Sequence, residues 1–139
     1  MENWKKDIRE LMEEELSVRV KKKDLIIFES KDPMLKPLYD CLNEKREQLV
    51  GATVIDKIVG QAAAFLCVLG QVNAVYTPVA SESAKKTLEA QNIRLKAERI
   101  IPQIMNRDNS GPCPMEKLAS SCKTPQEFYD VLKSRMSGK

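Results

Sequence analysis

Histidine is absent from this sequence, and its absence excludes several familiar kinds of active site. Without it the chain has no histidine general base, no Ser-His or Cys-His nucleophile pair and no histidine ligand for catalytic zinc. Any chemistry must use carboxylates, lysines, thiols or backbone amides. We therefore exclude a zinc-dependent hydrolase or deaminase of the usual kind, and we predict neither a metal site nor a cofactor.

Long apolar runs are also missing. The longest one, residues 62–69, is far shorter than the roughly 20 residues that a membrane-spanning helix needs. The N-terminal segment has the pattern of a charged amphipathic helix rather than the apolar core of a signal peptide. The four cysteines form no CxxC pair, which predicts free thiols in a reducing, cytoplasmic compartment.

The composition is typical of a globular protein, with 42% hydrophobic and 31% charged residues. A chain of 139 residues fits one domain of ordinary size, so we predict a single domain over residues 1–139. The net charge of +3 is too small to indicate nucleic acid or an anionic membrane as a partner.

Hydrophobic periodicity predicts a helix at each end of the chain, over residues 3–16 and 125–136. A period-two stretch at Val18–Val20 and an apolar run at Leu25–Phe28 follow the first helix. Because a lysine-rich cluster separates these two stretches, we predict an antiparallel hairpin with a solvated, basic tip.

Caps, glycines and prolines divide the remainder into alternating helices and strands. They are a helix over 33–48 starting at Asp32-Pro33, a helix over 54–69 that is apolar on most sides, a strand over 72–77, a helix from Ser81 to about Gln91, a strand over 95–101 and a helix over 114–122. Strands separated by helices imply right-handed parallel crossovers. We predict an α/β fold with a mixed sheet of about four strands, one antiparallel hairpin and helices on both faces.

Gly60 lies inside the predicted helix 54–69, where glycine costs about 1 kcal/mol relative to alanine. Close packing against a strand or close approach of a ligand would compensate for this cost, and we favour packing. Gly70 is placed to end the helix in a left-handed conformation.

Four segments together resemble a small bacterial family of unknown function. They are Asp56–Ala64, Val75-Tyr76, Asn106-Arg107 and Cys113–Glu116. The family is assigned to the cytidine-deaminase-like fold. The resemblance covers most of the chain after the first helix, and it implies a three-layer sandwich with a hairpin, a central buried helix and two parallel crossovers.

Active deaminases of this fold carry His-Ala-Glu or Cys-Ala-Glu on the first buried helix and Pro-Cys-x-x-Cys on the second. This chain departs from both patterns. Helix 54–69 has no such motif, and the helix that begins near Ser81 contains no cysteine. Residues 112–116 are similar to the second motif, but they follow the strand 95–101, one strand-helix unit too late, and Glu116 stands where the second cysteine should be. The resemblance thus implies the fold without the zinc.

Asp56 and Lys57 are the first candidate site residues. Lys57 would bind an anionic ligand, and Asp56 a hydroxyl or amine. The alternative is structural, with Asp56 and Thr53 capping the predicted helix and Lys57 solvated.

Ser81, Asn106 and Arg107 are further candidates for ligand binding, because they follow strands. Ligands of open α/β sheets lie beyond the carboxyl ends of the strands. Arg107 would bind phosphate or carboxylate through two parallel hydrogen bonds, and the helix start at Ser81 offers free backbone amides. The alternatives are an ordinary cap at Ser81 and an ordinary surface loop at Asn106 and Arg107.

Cys113 and Glu116 complete the set of candidate catalytic residues with Asp56 and Lys57. A helix start at Pro114 favours the thiolate form of Cys113, whereas Glu116 opposes it. A nucleophilic cysteine without histidine is uncommon, so a structural role is favoured. Cys67 belongs to the buried helix and is expected to be inert.

Three functions remain open. The first is a binding domain for a small anionic or nucleotide-like molecule, using Lys57, Ser81, Asn106 and Arg107. The second is a metal-independent enzyme using Asp56, Lys57, Cys113 and Glu116, which requires these groups to reach one common point. The third is a protein-interaction module or a homo-oligomer that uses its terminal amphipathic helices.

Overall fold

The computed structural model describes residues 3–106 and 108–137. The helices are α1 (Trp4–Glu13), α2 (Lys36–Glu44), α3 (Arg46–Leu49), α4 (Gln61–Gly70), α5 (Glu82–Ala90), α6 (Pro114–Ser120) and α7 (Pro125–Ser137). The strands are β1 (Val18–Lys22), β2 (Leu25–Ser30), β3 (Thr53–Asp56), β4 (Ile58–Val59), β5 (Ala74–Ser81) and β6 (Arg94–Ile101). Within this described part of the chain, no helix is long and apolar enough to span a membrane.

The strands of the described residues form one mixed sheet. β1 pairs antiparallel with β2 and with β3, whereas β5 has parallel neighbours on both sides. β3 and β4 lie end to end along the same side of β5, and β6 lies on its other side. The sheet is therefore mixed, with an antiparallel hairpin and parallel crossovers as predicted, but it has six strands instead of about four.

Helices cover both faces of the sheet. Val54 points into the larger core cluster, which the sheet shares with α2, α4, α5 and α7. Its neighbour Ile55 points to the opposite face, where it joins a second cluster with Ile8 and Leu11 of α1. Since successive side chains of a strand alternate between faces, β3 is buried on both sides.

The predicted helix 54–69 is wrong in its first part. Residues 53–56 form β3, which pairs with β1 and with β5, and α4 begins only at Gln61. A strand that is buried on both faces shows a continuous apolar run, and such a run does not distinguish a strand from a buried helix. Gly60 therefore precedes the helix instead of lying inside it, and Gln71, with φ 58°, replaces Gly70 as the left-handed residue.

The predicted helix 33–48 also begins too early. Met34 has φ +63°, which is incompatible with a right-handed helix. α2 therefore starts at Lys36 and uses Pro37 rather than Pro33 in its first turn. Lys45, with φ −134°, separates α2 from α3.

The other boundaries differ from the predictions by a few residues. α1 ends at Glu13, short of residue 16, and Glu15 has φ +58°. β5 extends past the predicted 72–77 to Ser81, and α6 ends at Ser120. α7 continues one residue beyond 136.

A buried arginine holds α1 against the hairpin. Arg19 of β1 is 5% exposed, and its guanidinium forms salt bridges to Glu14 at 2.5 Å and Glu29 at 2.6 Å, with Glu10 at 3.7 Å. Lys21 adds a contact from the same strand face, at 3.1 Å from Asp7 of α1. Charge pairing as well as apolar packing therefore positions α1 on the sheet.

We expect Arg19→Met to lower the free energy of unfolding by about 1–3 kcal/mol, because it leaves three carboxylates without their buried partner. The matched control is Lys36→Met, which removes the exposed pair to Asp40 at 2.6 Å and should leave the free energy of unfolding nearly unchanged, because solvent screens an exposed pair. Urea unfolding measures both values. Equal effects of the two substitutions would contradict this account of Arg19.

Candidate functional site

One pocket of about 550 Å³ lies at the carboxyl ends of β3 and β4. Its walls come from the segments before β1, between β2 and α2, between β3 and α4, after β6 and at the start of α6. The lining residues are Ser17, Lys31, Pro33, Met34, Leu35, Asp56, Lys57, Ile58, Gly60, Ala63, Ile104, Met105, Cys113, Met115 and Glu116. The pocket thus collects residues far apart in the sequence.

The position of Asp56 and Lys57 follows from an interruption in the sheet. Ile55 pairs with Tyr76 and Ile58 pairs with Val79, but the two residues in between do not pair with β5. Pro78 lies in this gap, and proline has no N–H to donate to a neighbouring strand. The backbone N–H of Lys57 donates instead to the Ser17 carbonyl, at 3.2 Å.

The Asp56 carboxyl group lies beside this interruption and lines the pocket. Its Oδ1 accepts a long hydrogen bond from the backbone N–H of Ile58, at 3.4 Å. Burial raises the pKa of Asp56 to about 7, against the opposing effects of the Ile58 and Lys57 amides and of the Lys57 charge. The side chain retains some exposure through the pocket, so a ligand can reach a carboxyl group that titrates near neutral pH.

Glu116 caps the central helix from a distant part of the chain. Its Oε1 accepts a hydrogen bond from the backbone N–H of Gln61 at 2.7 Å, and its Oε2 accepts one from Ala62 at 3.1 Å. A carboxylate is favoured there by the unpaired amides and by the helix dipole. Burial raises the pKa of Glu116, and the two amide hydrogen bonds oppose that shift.

Gly60 makes room for this carboxylate. A Cβ at residue 60 would overlap the carboxyl group of Glu116. Gly60 has φ −104° and ψ −169°, an extended conformation that any residue adopts. Space, not backbone conformation, therefore requires glycine here, and the close neighbour is a side chain of the protein rather than the strand or ligand considered from the sequence.

Two lysines bring positive charge to the pocket. Lys31 and Lys57 are both exposed lining residues. Among the described side chains, neither forms a salt bridge with a carboxylate. Their ammonium groups are therefore available to an anionic ligand.

The sequence-predicted residues divide into two groups. Asp56, Lys57, Cys113 and Glu116 all line the pocket, but Glu116 is already engaged by the two amides of α4. The half-buried Cys113 is a free thiol. The four candidate catalytic residues thus share one cavity.

The other predicted ligand-binding residues have different surroundings. Ser81 is buried and caps α5, since its Oγ accepts from the Ala84 N–H at 3.1 Å. Asn106 holds its own loop through two hydrogen bonds with Ser110. Neither residue is among those that line the pocket, and Arg107 lies outside the described residues.

Lys31, Met34 and Met105 are lining residues that the sequence patterns did not indicate. They belong to loops or turns without a motif, and only the tertiary fold brings them to β3. The role of Glu116 has one indication in the sequence around α4. Gly60, the N-cap residue of α4, has no side chain that could accept a hydrogen bond, so the first backbone amides of the helix need a partner from elsewhere in the chain.

Among the described residues, no group of three or more histidine, cysteine, aspartate or glutamate side chains is arranged to hold a metal ion. The two helix starts at which zinc ligands would be expected also lack the histidine and cysteine side chains that bind zinc in deaminases. α4 starts with Gly60-Gln61-Ala62 and α5 with Ser81-Glu82-Ser83. The residues present do not fit the zinc site that the resemblance to deaminases would suggest.

The family model for TM1506, described as a domain of unknown function (DUF1893), matches residues 6–136. The crystal structure of a DUF1893 family protein (TM1506) from Thermotoga maritima is similar to this chain, with a TM-score of 0.85 and 28% sequence identity. The similarity covers 94% of this chain and 88% of that one. No curated protein matches this chain.

We expect Gly60→Ala to destabilise the protein by about 1–2 kcal/mol, because the new methyl group displaces the capping carboxylate. In a Glu116→Ala background the same substitution should cost about 1 kcal/mol less, since the cap is already lost. Urea unfolding of the four proteins gives this coupling energy. Additive effects would show that Gly60 and Glu116 do not act together.

The pKa of Asp56 predicts how stability depends on pH. The folded-state pKa is about 7, well above the ordinary 3.8, so the folded protein holds an extra proton between these values. The contribution of Asp56 to stability is fully present below about pH 4 and is lost as the pH rises through about 7. We expect Asp56→Asn to reduce the decline in unfolding free energy between pH 4.5 and pH 7.5. Glu116 remains in both proteins, so parallel pH curves would contradict the assignment to Asp56.

Proposed function

Because this chain belongs to the TM1506 (DUF1893) family, a family of unknown function, we propose its function from the geometry of the pocket. The protein is a binding domain for a small anionic, nucleotide-like molecule and does not act as a zinc-dependent deaminase. The observation that carries this proposal is one pocket of about 550 Å³ in which two unneutralised lysines meet the titratable carboxyl group of Asp56.

The proposal includes a cytidine-deaminase-like three-layer fold. Three features support it: the antiparallel hairpin of β1 and β2, the buried central helix α4, and parallel crossovers through α4 and α5. α1 on the opposite face of the sheet supplies the third layer. Fold likeness alone does not supply a reaction, so the function rests on the pocket.

The size and lining of the pocket support binding of a small molecule. Ligand pockets commonly measure about 300–1,000 Å³ and combine apolar walls with a few polar groups. Here the walls are mainly aliphatic and thioether side chains, and the polar groups belong to Ser17, Lys31, Asp56, Lys57 and Glu116. The location at the carboxyl ends of parallel strands is where open α/β sheets bind ligands.

The charges favour a ligand with an anionic group and a hydrogen-bonding group. Glu116 is held by α4, so Lys31 and Lys57 are the charged side chains left for a phosphate or carboxylate. Asp56, with a pKa of about 7, donates to a ligand when protonated and accepts from an amine when ionised. A mononucleotide offers both kinds of group.

We expect mononucleotides to raise the melting temperature of the protein and to bind in isothermal titration calorimetry. Lys57→Met and Lys31→Met should each weaken binding about tenfold, through loss of a charge-assisted contact. Lys86→Met, on an exposed part of α5 that does not line the pocket, is the matched control and should bind as the unaltered protein does. The proposal fails if no nucleotide, nucleoside or sugar phosphate stabilises the protein, or if all three variants bind alike.

A metal-independent enzyme is the second candidate, and the shared cavity of Asp56, Lys57 and Cys113 favours it. Asp56 has a pKa suited to a general base near neutral pH. NMR spectra of mixtures with each molecule that binds would reveal turnover. Turnover that Asp56→Asn abolishes without loss of binding would establish this alternative, whereas unchanged ligands would oppose it.

The third alternative, an interaction module that uses the terminal helices, has less support. α1 buries Ile8 and Leu11 against the sheet, and α7 buries Phe128 and Leu132 in the main core. The apolar faces of both helices are thus used inside the protein. A mass measured by light scattering tests for a homo-oligomer that forms through other surfaces.

A further inference from the structure

Methionine is concentrated at the pocket. Met34, Met105 and Met115 line it, which is three of the six methionines in the chain. No aromatic side chain is among the lining residues. Thioether side chains are flexible and polarisable, and they contact aromatic rings favourably through sulfur.

The methionines lie at two depths. Met115 packs against the main core, whereas Met34 is 63% exposed and Met105 is 36% exposed at the outside of the pocket. Ile58, which is 51% exposed, lies beside them in the lining. The protein therefore leaves an apolar rim uncovered around one cavity, although exposed large apolar side chains are costly to hydrate.

Met34 is held in an unfavourable backbone conformation. It follows Pro33 and has φ +63°, a left-handed backbone conformation that glycine adopts more readily than any other residue. Its side chain is mostly exposed, so packing inside the protein does not explain why a methionine is there.

The charged and apolar groups of the pocket alternate along the chain. Lys31 is three residues before Met34, and Lys57 directly precedes Ile58. Each lysine is therefore close in the sequence to an exposed apolar residue of the rim. One small molecule can contact both if it carries an anionic group joined to an apolar part.

We infer that the ligand is an anion carrying a flat aromatic ring, that this ring lies against the wall formed by Met34, Met105 and Met115, and that Met34 determines the specificity for it. This inference rests on the proposed binding of a nucleotide-like anion and adds which wall of the pocket holds the ring and which residue selects for it. A contact between a thioether sulfur and an aromatic ring corresponds to roughly 2- to 12-fold in affinity, and several such contacts add together.

The first experiment compares four probes by isothermal titration calorimetry. They are adenosine and cytidine 5′-monophosphates, which carry ring and anion, ribose 5-phosphate, which lacks the ring, and inorganic phosphate. We expect at least one mononucleotide to bind ten or more times more tightly than ribose 5-phosphate. Equal affinity of the mononucleotides and ribose 5-phosphate would overturn the inference, whereas the binding of a small anion by the two lysines would stand.

The second experiment separates the ligand contact from the backbone effect. Met34→Gly should raise the melting temperature, because glycine tolerates φ +63°, yet it should weaken mononucleotide binding at least fivefold and leave ribose 5-phosphate unchanged. Gln71→Gly is the matched control, since Gln71 is an exposed left-handed residue with φ +58° outside the pocket. It should raise the melting temperature without changing affinity.

The two proposals fail in different ways. If Met34→Gly binds mononucleotides as tightly as the unaltered protein, Met34 does not contact the ring and the inference is wrong. If no probe binds, the anion-binding function fails and the inference fails with it. If binding depends on Lys57 but not on the ring or Met34, only the inference is lost.

Discussion

The carboxylate of Glu116 at the N-terminus of α4 is the contact on which the geometry of the pocket depends. α4 is the central helix of the main core, and α2, α5, α6 and α7 all pack against it. The two amide hydrogen bonds from Gln61 and Ala62 fix α6 to the start of this helix. Because Cys113 and Met115 belong to the same short segment, that contact also sets the position of one pocket wall. The missing side chain of Gly60 is what allows the approach.

The opposite wall has a different origin. The pairing of β3 and β4 with β5 is interrupted next to Pro78. Asp56 stays paired with Val18 of β1, and the Lys57 N–H donates to the Ser17 carbonyl on that same side. Burial beside this interruption raises the pKa of Asp56 to about 7.

Local signals were sufficient for much of the fold. Ser81 caps α5, and Thr124 accepts from the Glu127 N–H at the start of α7 as a capping box predicts. The hairpin followed from alternation around Val18–Val20. The sequence failed at residues 53–60, where burial on two faces gives strand and helix the same apolar pattern, and at Met34, whose left-handed conformation no residue preference indicates.

Prediction of the site was limited in the same way. The sequence indicated four of the lining residues because their side chains can act as acids, bases, nucleophiles or ligands for an anion: Asp56, Lys57, Cys113 and Glu116. It did not show that they share one cavity, because this depends on tertiary contacts between residues more than 50 positions apart. Ser81 was predicted to bind a ligand from its place at a helix start, and its hydroxyl group is used as the cap itself. Lys31 and Met34 were missed because a turn after a hairpin has no motif of its own.

β6 leaves the outer edge of the sheet without a neighbouring strand in the described part of the chain. Its exposed residues include Arg94, Glu98 and Arg99, spread along the eight residues of the strand. Charged side chains along an edge strand oppose its pairing with a strand of another chain. The free side of β6 is thus guarded against edge-to-edge aggregation by the sequence of the strand itself.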